Sequence, residues 1–74
     1  MSSKISYKPL FKTISERYIL LTDIARALEF SSATVAKFDK NELVSLGTIV
    51  KICDYLDVPI EKVVQMSRFL DSRD

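Results

Sequence analysis

The 74-residue sequence contains no histidine and no tryptophan, and it has one cysteine, one glycine and two prolines. Without histidine, neither a Ser–His nor a Cys–His nucleophile can be assembled, and a zinc site of Cys and His ligands cannot be built. One glycine cannot form a glycine-rich loop around a phosphate. Carboxylate catalysis stays open on composition, but the acidic residues are scattered singly along the chain. We therefore expect a binding module rather than an enzyme, with no metal, no cofactor and no small-molecule ligand.

Long hydrophobic runs are also missing from the sequence. No apolar stretch approaches the roughly 18–20 residues that cross a bilayer, so we expect no membrane span and no membrane partner. The first eight residues contain no apolar segment of the kind found in signal peptides. The single cysteine, Cys53, cannot form an internal disulfide, which is typical of a reducing compartment. We therefore expect a cytoplasmic protein in which Cys53 packs in the core.

Charge is nearly balanced over the whole chain but unevenly placed along it. Apolar residues make up 47% and charged residues 28%, the balance of one small globular domain, and the net charge is +1. Residues 1–18 carry four basic and one acidic residue, whereas residues 54–74 carry three basic and five acidic residues. A protein that coats DNA would be far more basic. Any contact with nucleic acid is therefore expected to be small and local, and strengthened by pairing two copies.

Apolar residues at helical spacing, and residues typical of helix ends, predict an all-α fold of five short helices. Pro9 suits a first turn, Thr22 and Ser45 suit N-caps, and Pro59 ends the helix before it. The predicted helices cover residues 8–18, 22–29, 32–38, 46–56 and 60–70. A single domain is expected at residues 8–70, between an N-terminal tail at residues 1–7 and a C-terminal tail at residues 71–74.

The first four predicted helices each have an apolar face that is expected to form the core. These faces consist of Leu10, Phe11, Ile14 and Tyr18; Ile24, Ala25 and Leu28; Val35 and Phe38; and Leu46, Ile49, Val50, Cys53 and Leu56.

The fifth predicted helix has more apolar residues than one core face needs. Ile60, Val63 and Val64 are enough to cover the core. An adjoining arc consists of Met66, Phe69 and Leu70. This arc is either a dimer or partner interface, or it folds back onto the first helix near Tyr7 and Phe11.

The second and third predicted helices can cross closely. A close crossing needs a small residue on the first of them, which Ala25 supplies, and apolar anchors on both. The turn between them is short. This is the geometry of a helix-turn-helix, in which the second of the two helices enters the major groove of DNA.

A family resemblance rests on residues 21–38, LTDIARALEFSSATVAKF, and on DKN at 39–41, SL at 45–46 and LDV at 56–58. With this ordered set, the sequence resembles the Cro/C1-type (XRE) helix-turn-helix family of phage and bacterial repressors over about residues 8–66. The resemblance implies a compact five-helix, lambda-repressor-like DNA-binding domain. It also implies a transcriptional regulator of prokaryotic or phage origin that acts in the cytoplasm or nucleoid.

The sequence departs from the family pattern at two positions. The family usually has glycine in the turn between the two crossing helices, and Glu29 stands there. If Glu29 adopts a positive φ, the strain costs on the order of 1 kcal/mol. The family often carries Gln or Ser at the start of the second helix to hold a DNA phosphate, and Leu21 stands at that position.

The resemblance implies that the N-terminal part of the third helix faces DNA. Base contacts are expected from Ser32, Ala33, Ala36 and Lys37, and phosphate contacts from Ser31, Thr34, Lys40 and Asn41. Lys4 and Lys8 can also reach phosphates from the tail. A second interpretation stays open for some of these residues. Ser31 and Ser32 cap a helix in any protein, and Lys37 and Lys40 beside Asp39 suit a solvated turn.

Two functions from different classes follow from these observations. The first is a repressor-like transcriptional regulator that binds double-stranded DNA at an operator as a homodimer. The alternative is a protein-interaction module on the same fold, such as a modulator of another regulator. The near-neutral charge and the few polar groups of the third helix favour this alternative. Binding to bulk DNA that weakens steeply with salt distinguishes the first function from the second.

Overall fold

The structure is a computed structural model that describes residues 3–68. This part of the chain forms four α-helices, one 3₁₀ turn and one two-stranded antiparallel sheet. The elements in chain order are β1 (Ser3–Ser6), α1 (Lys8–Glu16), α2 (Leu21–Leu28), α3 (Ser32–Asp39), α4 (Leu46–Leu56), the 3₁₀ turn (Ile60–Lys62) and β2 (Gln65–Arg68).

The signals at the helix ends explain most of these bounds. Ser31 and Ser45 cap α3 and α4 as predicted, because the hydroxyl of each accepts a hydrogen bond from the backbone N–H three residues later. The prediction that Thr22 caps α2 is wrong. That helix begins at Leu21, and Asp23 accepts the Leu20 N–H at 3.2 Å.

The first helix ends two residues earlier than predicted. Tyr18 lies in the left-handed region at φ 59°, so its backbone leaves the helix, and its side chain is 96% exposed. The expectation that Tyr18 belongs to the buried face is therefore wrong. A non-glycine residue in this region is uncommon. At Tyr18 the chain turns sharply after α1, and the next residue, Ile19, packs against the core again.

The predicted fifth helix is wrong, so the described residues form four helices rather than five, and the fold is mostly helical with a small sheet. Residues 60–62 form only a 3₁₀ turn, and Gln65–Arg68 continue as strand β2. Strand β2 pairs with β1 so that Ser6 lies opposite Gln65 and Ser3 opposite Arg68. This pairing satisfies backbone groups of both segments, and the β-branched residues before β2 are weak helix formers.

The N-terminal segment, expected as a tail, is also ordered by this pairing. Residues 3–6 form β1, and the next residue, Tyr7, is 1% exposed. Of the expected arc on the fifth helix, Met66 lies in β2, while Phe69 and Leu70 are outside the described residues. The predicted C-terminal tail at residues 71–74 is also outside them.

One core connects all four helices. Its buried side chains are Tyr7, Leu10, Ile14, Ile24, Phe38, Ile49, Ile52, Leu56 and Val63. On α4 the predicted face was partly wrong: Leu46 and Val50 are exposed, and Ile52 is fully buried in their place. The buried face of α4 therefore consists of Ile49, Ile52 and Leu56, and it is rotated about the helix axis relative to the predicted face.

Helix α1 is held against the 3₁₀ turn by two hydrogen bonds. The Leu10 N–H, unpaired within the first turn of α1, donates to the Val63 carbonyl at 3.1 Å. The buried Thr13 hydroxyl donates to the Lys62 carbonyl at 2.9 Å. These contacts fix the segment that leads into β2.

Residues 3–68 contain neither a membrane-spanning helix nor a cluster of metal ligands. No helix there has the length and apolarity to cross a bilayer. No group of three or more Cys, Asp or Glu side chains there is arranged to hold a metal ion.

Candidate nucleic-acid interface

Helices α2 and α3 form a helix-turn-helix. Ile24 and Ala25 of α2 are buried, as is Phe38 of α3. Glu29 ends α2 in the left-handed region at φ 62° and ψ 42°, and the Phe30 N–H donates to the Ala25 carbonyl at 2.8 Å. The positive φ expected at Glu29 is confirmed. The chain thus reverses within three residues and starts α3 at Ser32.

The N-terminus of α3 is fixed by hydroxyl groups. The Thr34 N–H donates to Ser31 Oγ at 3.2 Å, and the two hydroxyl oxygens of these residues also lie 3.2 Å apart. The prediction that Ser31 caps this helix is confirmed, whereas Ser32 is the first residue inside it. A phosphate contact by Ser31 or Thr34 would have to coexist with these hydrogen bonds. This is possible because a hydroxyl group can donate one hydrogen bond while it accepts others.

The outward face of α3 has little polar chemistry. Ser32, Ala33 and Lys37 are exposed, and Ala36 is half-buried. Lys37 is the only long hydrogen-bond donor among the four residues expected to contact bases. The structure therefore brings these four residues together on one helix. Two of them are alanines, whose side chains cannot form hydrogen bonds with bases.

The C-terminal end of α3 is attached to the start of the chain. Asn41, in the left-handed region at φ 57°, accepts the Tyr7 N–H on Oδ1 at 3.1 Å. The Tyr7 hydroxyl donates to the Glu42 carbonyl at 2.7 Å. The Tyr7 ring packs edge-on against Phe38, with centroids 4.6 Å apart. The Asn41 amide nitrogen keeps its donors for another partner.

Three lysines line one open depression beside this end of α3. The basic depression, of about 690 Å³, is lined by Lys4, Ile5, Lys37, Lys40, Asn41, Glu42 and Leu43. Lys4 reaches it because β1 runs past the end of α3. Lys8, which was expected to act with Lys4, lines a different depression with Lys12 and Lys62.

The start of α2 is apolar rather than polar. Leu21, at the position where the family often holds a phosphate, is half-buried. An apolar groove at the α1–α2 connection is lined by Phe11, Ile14, Ser15, Tyr18, Ile19, Leu20 and Leu21. The side chain of Leu21 itself therefore cannot donate a hydrogen bond to a phosphate.

Sequence reasoning missed the role of Tyr7 and the joint placement of Lys4, Lys37 and Lys40. A large amphipathic side chain next to a helix start is the only signal that pointed to Tyr7. Burial raises the pKa of the Tyr7 hydroxyl above 10.0, against a smaller lowering by a backbone hydrogen bond from Val44. The hydroxyl is therefore a hydrogen-bond donor throughout the physiological range.

The remaining candidate residues have separate locations. Met66, expected in a dimer interface, is 62% exposed on β2. Cys53 is half-buried, and burial raises its thiol pKa, as do the nearby charges of Asp54 and Glu61. A raised pKa keeps the thiol protonated, which agrees with packing rather than reactivity.

The comparisons with known proteins agree with this geometry. The sequence pattern of the Cro/C1-type helix-turn-helix DNA-binding domain matches residues 10–66. The chain belongs to this family. A crystal structure of the transcriptional regulator VanUg is similar to this Cro/C1-type domain with a TM-score of 0.87 and 30% sequence identity, covering 90% of this chain and 89% of that chain. No curated protein matches the sequence significantly.

Membership in the Cro/C1-type family assigns the domain to a DNA-binding fold rather than an enzyme class. The fold is mostly helical, with four helices and a small two-stranded sheet in the described residues.

Proposed function

We propose that this Cro/C1-type domain is a repressor-like transcriptional regulator that occupies an operator with α3 in the major groove. The observation that carries the proposal is the helix-turn-helix itself. It holds α3 by its buried residue Phe38 and leaves Ser32, Ala33 and Lys37 exposed. A helix presented in this way fits the width of the major groove.

The residues of α3 and the following turn divide into two roles in this proposal. Lys37 reaches guanine O6 and N7, Ser32 contacts base edges, and Ala33 and Ala36 contact thymine methyl groups. Phosphate contacts come from Ser31, Thr34, Lys40 and Asn41. The basic depression supports the second role, because it places Lys40 and Lys37 beside each other at the end of α3.

A homodimer is part of the proposal because one such helix reads few bases. Met66 is exposed on β2, and β2 pairs with β1 on one side only within the described residues. A strand edge with unpaired N–H and C=O groups is suited to pairing with a second copy. A two-fold dimer with its two α3 helices about 34 Å apart would require a palindromic operator.

The test is selection from random duplex DNA with the purified protein, followed by light scattering with and without the selected site. The expected result is one palindromic sequence, bound by a dimer, with an affinity that falls steeply as salt increases. Selection of no sequence, together with salt-independent binding to bulk DNA, would contradict the proposal. A single half-site bound by a monomer would contradict only the dimer.

A second candidate function is a protein-interaction module on the same fold. The apolar groove favours it, because Tyr18 and Leu20 are largely exposed there. This function requires that a protein partner binds while bulk duplex DNA does not. The same salt titration therefore separates the two functions, since binding through an apolar groove has little salt dependence.

A further inference from the structure

Tyr7 joins the start of the chain to the end of α3 by three contacts. Its N–H donates to Asn41 Oδ1 at 3.1 Å, its hydroxyl donates to the Glu42 carbonyl at 2.7 Å, and its ring packs against Phe38. The residues joined by the two hydrogen bonds are 34 and 35 positions apart in sequence. Tyr7 therefore attaches β1 and α1 to the turn that follows α3.

The same turn controls where two lysines lie. The Lys37 carbonyl accepts the Glu42 N–H at 2.9 Å, and Lys40 directly precedes Asn41. Asparagine adopts the left-handed conformation more easily than most residues do. The Asn41 side chain contributes one contact to this turn, which is the hydrogen bond that its Oδ1 accepts from the Tyr7 N–H. If the contacts from Tyr7 were lost, the buried Phe38 would still hold the last turn of α3, but the turn after it would lose both hydrogen bonds to the start of the chain.

The hydrogen bond of the hydroxyl is more than packing requires. A phenylalanine at this position would keep the backbone bond to Asn41 and the ring contact with Phe38, and it would bury no hydroxyl. The Tyr7 hydroxyl instead donates to the carbonyl of Glu42, an exposed residue. The polar end of Tyr7 therefore fixes the turn rather than filling the core.

We propose that Tyr7 is a positioning residue for DNA recognition, which holds Lys37 and Lys40 in the arrangement that a specific site requires. This inference rests on the proposed binding of DNA by α3. It assigns no DNA contact to Tyr7 itself. Charge is unchanged when the hydroxyl is removed, so binding to bulk DNA, which depends on the number of phosphates neutralised, stays the same. Only the discrimination between the selected site and bulk DNA depends on the fixed turn.

The experiment compares Tyr7→Phe with Thr13→Val. Each variant loses the hydrogen bond that a buried hydroxyl donates to a backbone carbonyl, which belongs to Glu42 in the turn after α3 for Tyr7 and to Lys62 in the 3₁₀ turn for Thr13. We expect Tyr7→Phe to lower the ratio of specific to bulk affinity by about 3- to 10-fold, the effect of one lost hydrogen bond. We expect Thr13→Val to keep the wild-type ratio while its melting temperature falls. The salt dependence should be the same in all three proteins.

Each outcome has a distinct meaning. A wild-type protein without salt-dependent DNA binding contradicts the proposed function itself. A wild-type ratio in Tyr7→Phe, or an equal fall in Thr13→Val, contradicts the positioning role while leaving DNA binding intact.

Asn41→Gly tests the positioning role by itself if Tyr7→Phe folds poorly, and a double-mutant cycle of the two adds a further test when both variants fold. Glycine suits the left-handed backbone at this position and removes the acceptor of the Tyr7 N–H. If both residues act through the same turn, the double variant loses less discrimination than the two single losses combined. Strictly additive losses would overturn the proposal.

Discussion

Replacing Glu29 by glycine should stabilise the protein. Glu29 ends α2 at φ 62° and ψ 42° and is exposed, with no ion pair or hydrogen bond of its side chain found in residues 3–68. The left-handed conformation costs a residue with a Cβ atom about 1–2 kcal/mol. Glycine avoids that cost but loses about 0.5–1 kcal/mol more backbone entropy on folding. The difference leaves a gain of about 0.75 kcal/mol, which corresponds to about 3–6 °C in a domain of this size.

Thermal unfolding followed by circular dichroism measures this gain. Glu29→Ala is the matched control, because it removes the same carboxylate but keeps the Cβ atom that makes the left-handed region costly. We expect Glu29→Gly to unfold at a higher temperature than both the wild type and Glu29→Ala. Equal stabilisation by the two variants would show that charge, not backbone strain, is responsible. A lower melting temperature for Glu29→Gly would refute the assignment of strain to this turn.

Three further predictions concern α3, the core and pH. Lys37→Ala should reduce affinity for the selected site more than for bulk DNA, whereas Lys40→Ala should weaken both equally and lower the salt slope by about one, as competitive binding assays would show. Ile52→Ala should lower the free energy of unfolding by about 2–5 kcal/mol in urea titrations, and the half-exposed Val50→Ala by much less. As the pH rises through 10.0 the wild type should lose more stability than Tyr7→Phe, because burial raises the pKa of the Tyr7 hydroxyl and the folded state retains a phenol proton that the unfolded state releases.

The four helices could be predicted because their signals are local. Ser31 and Ser45 each precede a helix by one residue, and their caps form within the next three residues. The positive φ of Glu29 could be considered in advance because the family pattern usually has glycine at this position of the turn. By contrast, the buried face of α4 was displaced because Val50 and Ile52 are equally apolar, and only the packing of the other helices selects Ile52.

The two strands could not be predicted because each depends on a distant partner. Ser6 pairs with Gln65, so the first and last described segments of the chain define each other. Neither segment alternates long enough to indicate a strand by itself. The apolar spacing fits a helix over residues 60–70 as well as it fits a 3₁₀ turn followed by a strand. Backbone pairing with β1 stabilises the strand instead of the helix.

For the candidate site, sequence reasoning reached the residues of α3 but not the structure that holds them. The outward residues of α3 were implied by the family resemblance, and in the structure the burial of Phe38 fixes the rotation of the helix. The contacts of Tyr7 with Asn41 and Glu42 could not be inferred, because they join segments more than thirty residues apart. Because residues 1–7 were predicted to be a tail, no fixed contact was expected for Tyr7.

The contacts that hold α3 in place matter because its exposed face has few hydrogen-bonding side chains. Lysine is a flexible point charge, so Lys37 discriminates between bases only if the backbone that carries it has one position. Ser31 fixes the first turn of α3, Phe38 fixes its rotation, and Tyr7 fixes the turn after it. A recognition helix with Arg, Asn or Gln gains discrimination from bidentate contacts to bases. If the domain binds an operator as proposed, the equivalent discrimination would come from a rigid frame and from the second half-site of the proposed dimer, because the face of α3 does not contain such side chains.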